Sequence, residues 1–277
     1  MRWAAPWLLI ALLPLSGYAS PPGIPGGQAV ARSAETPADT PNPRSGRPTL
    51  TLVIDDLGMN PARDERVLAL PGPVTLAILP DTRHATRLAA RANAVGKTVM
   101  LHLPMAPATG RYAWQPDLGP EQLQKRLAMA LEKVPHASGV NNHMGSQMTE
   151  HRPPMLALMT ELQTRHLFFL DSRTSARTVA AAAAQEVKLA SLSRDIFLDD
   201  DPSPAAVAAQ FQSAIALARK QGSVVIIGHP HASTLAMLER ELPRLQAQGI
   251  DWIDIGQMIA TRGNRAMAAH GAKGLYR

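Results

Sequence analysis

Short apolar runs that each stop at Asp, His or Asn recur along this chain, and that recurrence restricts its fold more than any other feature. The first is Leu50 to Gly58, LTLVIDDLG. Apolar and β-favouring residues lead straight into two adjacent carboxylates and a glycine that lets the chain turn. This is the pattern of a buried strand that delivers Asp55 and Asp56 at its C-terminal end. Chemistry in α/β folds is done at that end.

Between such runs lie helical segments with recognisable ends. Asn60-Pro61 starts one as cap and first-turn proline, and Pro71-Gly72-Pro73 ends it. Val74 to Leu79 is a second run, followed by a helix closing at Gly96. Thr98 to Leu101 leads into His102, Ser138 to Val140 into Asn141-Asn142-His143, and Leu167 to Leu170 into Asp171. Asp195 to Asp201, DIFLDDD, is a further acidic edge. Ser203-Pro204 opens the clearest helix, with Val207, Phe211, Ala214, Ile215 and Ala218 in one stripe and Gly222 as its stop. Val224 to Ile227 then ends in Gly228-His229-Pro230-His231, and a final strand is expected over Ile250 to Ile255.

Alternation of this kind implies parallel strands joined by right-handed crossovers. The expected fold is α/β, a distorted (β/α) barrel of parallel strands with outer helices; a doubly wound open sheet is the runner-up, because periodicity does not show closure. In the barrel, Asp55, Asp56, His102, His143, Asp171, Asp199 and His229 all end strands and converge on one face. No glycine-rich nucleotide-binding loop is present.

The first nineteen residues, with Arg2, an apolar run from Trp3 to Leu15 and Gly17-Tyr18-Ala19, have the form of a secretory signal cut after Ala19. The run contains Pro6 and Pro14 and falls short of the ~20 apolar residues a membrane span needs. Residues 20–48 carry seven prolines and few apolar residues, the composition of a disordered linker. Residues 49–260 form the expected domain, and 261–277 a basic flexible tail. The formal charge of +6 sits in the two ends, and the part between is balanced. That argues against a nucleic-acid groove and leaves the tails for weak contact with an anionic membrane surface. The chain has no cysteine, which excludes disulfides and thiolate zinc sites.

Three imidazoles and several carboxylates at strand ends suit zinc or a related divalent ion held by nitrogen and oxygen. Three protein ligands leave a position for water, whose pKa falls to ~7 on zinc; a carboxylate then takes its proton and a histidine protonates a leaving group. Each residue also has a plainer reading. Adjacent aspartates such as Asp55-Asp56 often cap or close a turn, His102 and His143 suit a satisfied core, and Asp171 suits a cap. For Asp199 to Asp201, capping near Ser203-Pro204 is preferred. His84, His136, His151, His166 and His231 read as surface residues. The loop with Arg111, Tyr112 and Trp114 reads either as a sugar platform or as rings packed on the domain.

In order, LVIDDLG, MLHLPM, GVNNHMGS, FFLDSRTS, RDIFLDD and IGHPH resemble the divergent polysaccharide deacetylase family, the YibQ-like proteins of bacterial envelopes, over nearly all of residues 49–260. That family is related to the NodB-type carbohydrate esterases, which have a distorted β/α barrel and remove acetyl groups from glycans with a bound divalent metal, usually zinc. The resemblance implies Asp55 as catalytic base, Asp56 and His102 as metal ligands and His229 as catalytic acid. Strand order supplies His143 as third ligand, and Asp171 is expected to orient His229 or a ligand. Three features depart from the usual pattern. Ala106 stands four residues after His102 where a second histidine is usual, Asn141 to Gly145 replace an arginine-proline-tyrosine motif, and no Trp follows Asp171.

Two readings follow. The first is a periplasmic metal-dependent hydrolase removing acetyl groups from an envelope glycan, with zinc as cofactor. The second is a non-catalytic envelope protein that binds glycan or a partner on the same fold.

Overall fold

The structure, a computed structural model, describes residues 46–274, with side chains to Arg265. The expected signal sequence and all but the last residues of the expected linker lie outside the described residues. Strand and helix alternate as β1 (Thr49–Leu57), α1 (Pro61–Ala69), β2 (Val74–Ile78), α2 (Ala85–Ala94), β3 (Thr98–Met105), α3 (Pro120–Lys133), β4 (Ala137–Met144) and α4 (Arg152–Thr164). There follow β5 (Phe168–Asp171), α5 (Ala180–Glu186), β6 (Ser191–Ser193), β7 (Ile196–Phe197), α6 (Pro204–Gln221), β8 (Ser223–Gly228), α7 (Ala232–Glu241), β9 (Asp251–Trp252) and α8 (Ile255–Gly274).

Helix ends follow local chemistry. Asn60 Oδ1 accepts from the amides of Ala62 and Arg63 at 3.1 and 3.2 Å, with Pro61 in the first turn where no N–H is needed. Ser203 caps α6, and Gly222 closes it at a φ of 82°.

All the strand pairs are parallel, and the sheet runs β6-β5-β4-β3-β2-β1-β8-β7, with β9 added to β1. It curls so that its two edges meet at one passage of chain. The amide of Arg194 still bonds to Asp171 O of β5 at 2.9 Å, whereas that of Asp195, the next residue, bonds to Val225 O of β8 at 2.9 Å. One extended stretch therefore begins as the neighbour of β5 and ends as the neighbour of β8. This is the expected distorted β/α barrel, and the open-sheet alternative is set aside.

Alternation along the strands makes two cores. Leu50, Leu52 and Ile54 of β1 and Leu76 and Ile78 of β2 face the helices. Each, fully buried, contributes about 1.5–3 kcal/mol. Val53, Ala77, Met100, Leu170, Val225 and Ile227 fill the barrel, whose floor is closed by Ile253, Ile255 and Met258. Burial on both faces explains why these strands read as continuous apolar runs. Where the inner face runs out of apolar residues, Asp55, His102, Asn141 and His229 continue it into the mouth.

Two boundaries differ from expectation. The final strand is only Asp251–Trp252, because Ile255 already begins α8. The segment expected as a flexible tail from residue 261 is helical as far as Gly274, an alanine-rich stretch without proline that extends the floor helix. Among the described residues, no helix is long and apolar enough to cross a membrane.

Candidate metal centre

Strict alternation would send Asp55 into the barrel and Asp56 to the helix side. The backbone departs from it there: Ile54 pairs with Leu76 and Leu57 with Ile78, so β1 spends an extra residue between them. Asp56 takes φ 57°, a left-handed conformation that Asp tolerates better than most residues. The bulge brings both adjacent carboxylates to the mouth.

Asp56 Oδ1 then lies 3.2 Å from His102 Nε2 and 2.9 Å from His143 Nδ1, and the two ring nitrogens are 3.2 Å apart. Three predicted ligands from β1, β3 and β4 thus present one atom each to a common point. Although buried, Asp56 Oδ1 receives no properly aligned hydrogen bond despite these short approaches. Three electron-pair donors gathered at one place, two imidazole nitrogens and a carboxylate oxygen, are what a divalent ion such as zinc takes. The residues fit the group. Burial works against ionisation of Asp56, but the charge of the two imidazoles close beside it holds its carboxyl well below the usual range.

Asp55 is buried beside this triangle, its Oδ2 3.7 Å from His102 Nε2. Asn141, on the inner face of β4 and paired in register with His102, donates from Nδ2 to Asp55 Oδ1 at 2.8 Å. Its Oδ1 lies 2.8 Å from His102 Nδ1. Burial raises the pKa of Asp55 against the opposing pull of His102, His229 and Asn141. Burial lowers that of His102, but Asp55 and Asp56 more than reverse it.

His229, at the end of β8, donates from Nδ1 to Asp199 Oδ1 at 2.9 Å. Asp199 Oδ2 accepts from the amide of His229 and the hydroxyl of Thr234, both at 2.7 Å. Burial disfavours the imidazolium, yet the Asp199 bond and the carboxylates of Asp55, Asp199 and Asp56 raise the His229 pKa to about 9. It is a charged acid at neutral pH.

Three expectations are corrected here. Asp171 does not orient His229 or a ligand. Its oxygens accept from the amide of Arg173 at 2.8 Å and the hydroxyl of Thr178 at 3.0 Å, so it ties down the loop after β5. Asp199 holds the histidine instead, because the strand shift at residues 194–195 sets β7 beside β8. Of the acidic run, it is Asp201 that caps, accepting from the amide of Ser203. His231 is not a detached surface residue: its ring lies 5.9 Å from that of His229.

A groove of about 870 Å³ opens beside the centre, lined by Asp56 and His143 and, farther out, by Met59, Arg83 and Met144. Tyr112 and Trp114 take no part in it; both are buried, and the backbone of Trp114 is bonded to Pro104 and Ala106. The packed reading of that loop holds.

A sequence profile described as divergent polysaccharide deacetylase matches residues 52–259. The chain belongs to that family. Among family relatives, the uncharacterised protein YibQ of Escherichia coli is 40% identical over 195 residues, 69% of this chain and 61% of that protein. An uncharacterised Haemophilus influenzae protein is 38% identical over 213 residues, 76% of each. The chain thus spans about three-fifths of the length of its E. coli relative. Its fold is that of the uncharacterised ATU2773 protein of Agrobacterium tumefaciens, with TM-score 0.73 and 20% identity over 78% of this chain and 92% of that one. A mutant of the peptidoglycan deacetylase PdaC of Bacillus subtilis shares it at TM-score 0.52 and 12% identity, over 84% and 98% of the two chains.

Proposed function

We propose that this protein is a periplasmic metal-dependent hydrolase that removes acetyl groups from an envelope glycan. The observation that carries the reading is the convergence of Asp56 Oδ1, His102 Nε2 and His143 Nδ1 within 3.2 Å of one another, with buried Asp55 beside them. The family assignment supports the substrate class, and the signal-like first nineteen residues support the compartment.

Asp56, His102 and His143 would hold the ion. A divalent ion such as zinc supplies a Lewis acid for the acetyl carbonyl and lowers the pKa of water. Asp55 is the proton acceptor: buried, with a raised pKa, it is a stronger base than an exposed carboxylate. His229 gives its proton to the departing amine or alcohol, and Asp199 keeps its Nδ1 occupied so that Nε2 faces the site. The groove beside Asp56 and His143 receives the flanking sugar units.

The test is acetate release from acetylated glycan oligomers by the zinc-loaded protein, the parent against Asp55→Asn and His229→Ala. Loss of about 10²–10⁴-fold in each variant is expected. Full activity of Asp55→Asn, or none in the parent with any acetylated glycan, overturns the proposal.

A further inference from the structure

We infer that Asn141 is a positioning residue that selects the ligating nitrogen of His102 and at the same time aims Asp55. The inference deepens the hydrolase reading and rests on it for the catalytic half; the ligand half stands on geometry alone.

His102 has two ring nitrogens, and only a nitrogen without hydrogen can ligate a metal. Its Nδ1 lies 2.8 Å from Asn141 Oδ1, and an amide oxygen only accepts. The hydrogen is therefore on Nδ1, and the lone pair of Nε2 points to Asp56 Oδ1 and His143. The amide is not free to turn over. Its Nδ2 faces Asp55 Oδ1 at 2.8 Å and Ser172 Oγ at 3.3 Å. Turned over, it would set its oxygen against a buried carboxylate and its NH2 against a ring N–H. Every polar atom of this fully buried side chain is thus spoken for in one orientation only.

The imidazole and carboxylate partners of Asn141 come from β3 and β1, on one side of it in the barrel wall, and they need opposite things. His102 needs an acceptor, and Asp55 a donor. An amide offers both from one planar group. Aspartate keeps the acceptor and loses the donor, and alanine loses both. The neighbouring Asn142 has different work: it accepts from the amide of Ser172 at 2.9 Å and donates to Met144 O at 2.7 Å, holding loops together outside the site. Two adjacent asparagines of like size and burial therefore separate a chemical role from a structural one.

The experiment measures zinc affinity by calorimetry for the parent, Asn141→Ala, Asn141→Asp and Asn142→Ala, with NMR of the imidazole N–H of His102 in the zinc-loaded proteins and acetate release from an acetylated glycan oligomer. Losing a partner of this kind weakens metal binding roughly 10- to 100-fold, so Asn141→Ala should bind zinc that much more weakly and lose the slowly exchanging Nδ1–H signal. Asn141→Asp should keep zinc affinity and the N–H signal while its kcat falls by about 10² or more at nearly constant KM. A structural role alone would depress both properties in both variants.

Zinc affinity unchanged in Asn141→Ala, or reduced as far in Asn141→Asp as in Asn141→Ala, overturns the assignment. So does a loss in Asn142→Ala equal to that in Asn141→Ala. A parent that shows the affinity series and the N–H signal but hydrolyses nothing overturns the hydrolase reading and upholds the ligand half. A parent that binds no zinc overturns both.

Discussion

Asp199 holds His229 at two points: its Oδ1 accepts from the ring Nδ1 at 2.9 Å and its Oδ2 from the backbone amide of the same residue at 2.7 Å. Ring and backbone are fixed by one buried carboxylate, and the ring is left one productive orientation. Asp199→Ala is therefore expected to lower kcat by about 10²–10⁴-fold with KM nearly unchanged, and Asp199→Asn, which can still accept from Nδ1, by less. Steady-state kinetics on an acetylated oligomer decides; equal losses in the two variants would count against orientation as the cause.

The pH dependence of the metal-free domain should carry the mark of His229. Its pKa in the fold is about 9 against 6.5 for the free side chain. A raised histidine pKa contributes stability that is fully present below 6.5 and is lost as pH rises through about 9. Thermal stability should decline over that window, less steeply in His229→Ala. NMR titration of the metal-free parent should place the His229 midpoint near 9, and Asp199→Asn should bring it down towards 6.5. An unshifted midpoint in that variant would remove Asp199 as the main cause.

Gly58 follows the bulge at φ 100°, and a Cβ there would collide with Thr82 Oγ1. Its amide is held by Asp64 Oδ1 at 3.2 Å. Gly58→Ala combines left-handed strain with a steric clash and should destabilise the fold by about 1–3 kcal/mol. Because Gly58 lies two residues from Asp56 at the end of β1, zinc affinity should fall as well. Denaturant unfolding and calorimetry measure the two effects, and parent-like values in both would refute the account of the loop.

Zinc should stabilise the folded domain by mass action, about 2.7 kcal/mol at a free concentration one hundred times Kd. Thermal melts with zinc and with a chelator measure this. His102→Ala and His143→Ala should abolish the increment, since each removes one corner of the donor triangle. A zinc-dependent increment that survives in both variants would place the ion elsewhere.

Much of this was legible beforehand. Apolar runs such as Val224 to Ile227, the Asn60 and Ser203 caps and the Gly222 stop are local signals, and each stands where the residues indicate. Asp56, His102 and His143 were identifiable as strand-end groups. The role of Asn141 is not legible locally because it depends on register: only when His102 pairs with Asn141 does the amide lie between imidazole and carboxylate. The role of Asp199 is hidden in the sequence for a related reason. A carboxylate near Ser203-Pro204 resembles a cap until the partner switch at residues 194–195 sets its strand against β8. Asp171, attractive at a strand end, turned out to satisfy its own loop.

The sequence by itself determined the alternation of strand and helix, the parallel arrangement that alternation requires, and the residue types at the barrel mouth. Those properties are encoded in period, capping and composition over a few neighbouring residues. The tertiary structure decided how the curled sheet meets its own edge, which carboxylate holds His229, and how two adjacent aspartates face the same site. Each of these turns on pairing between residues far apart in the chain, or on one residue at positive φ, where a shift of a single position changes every partner.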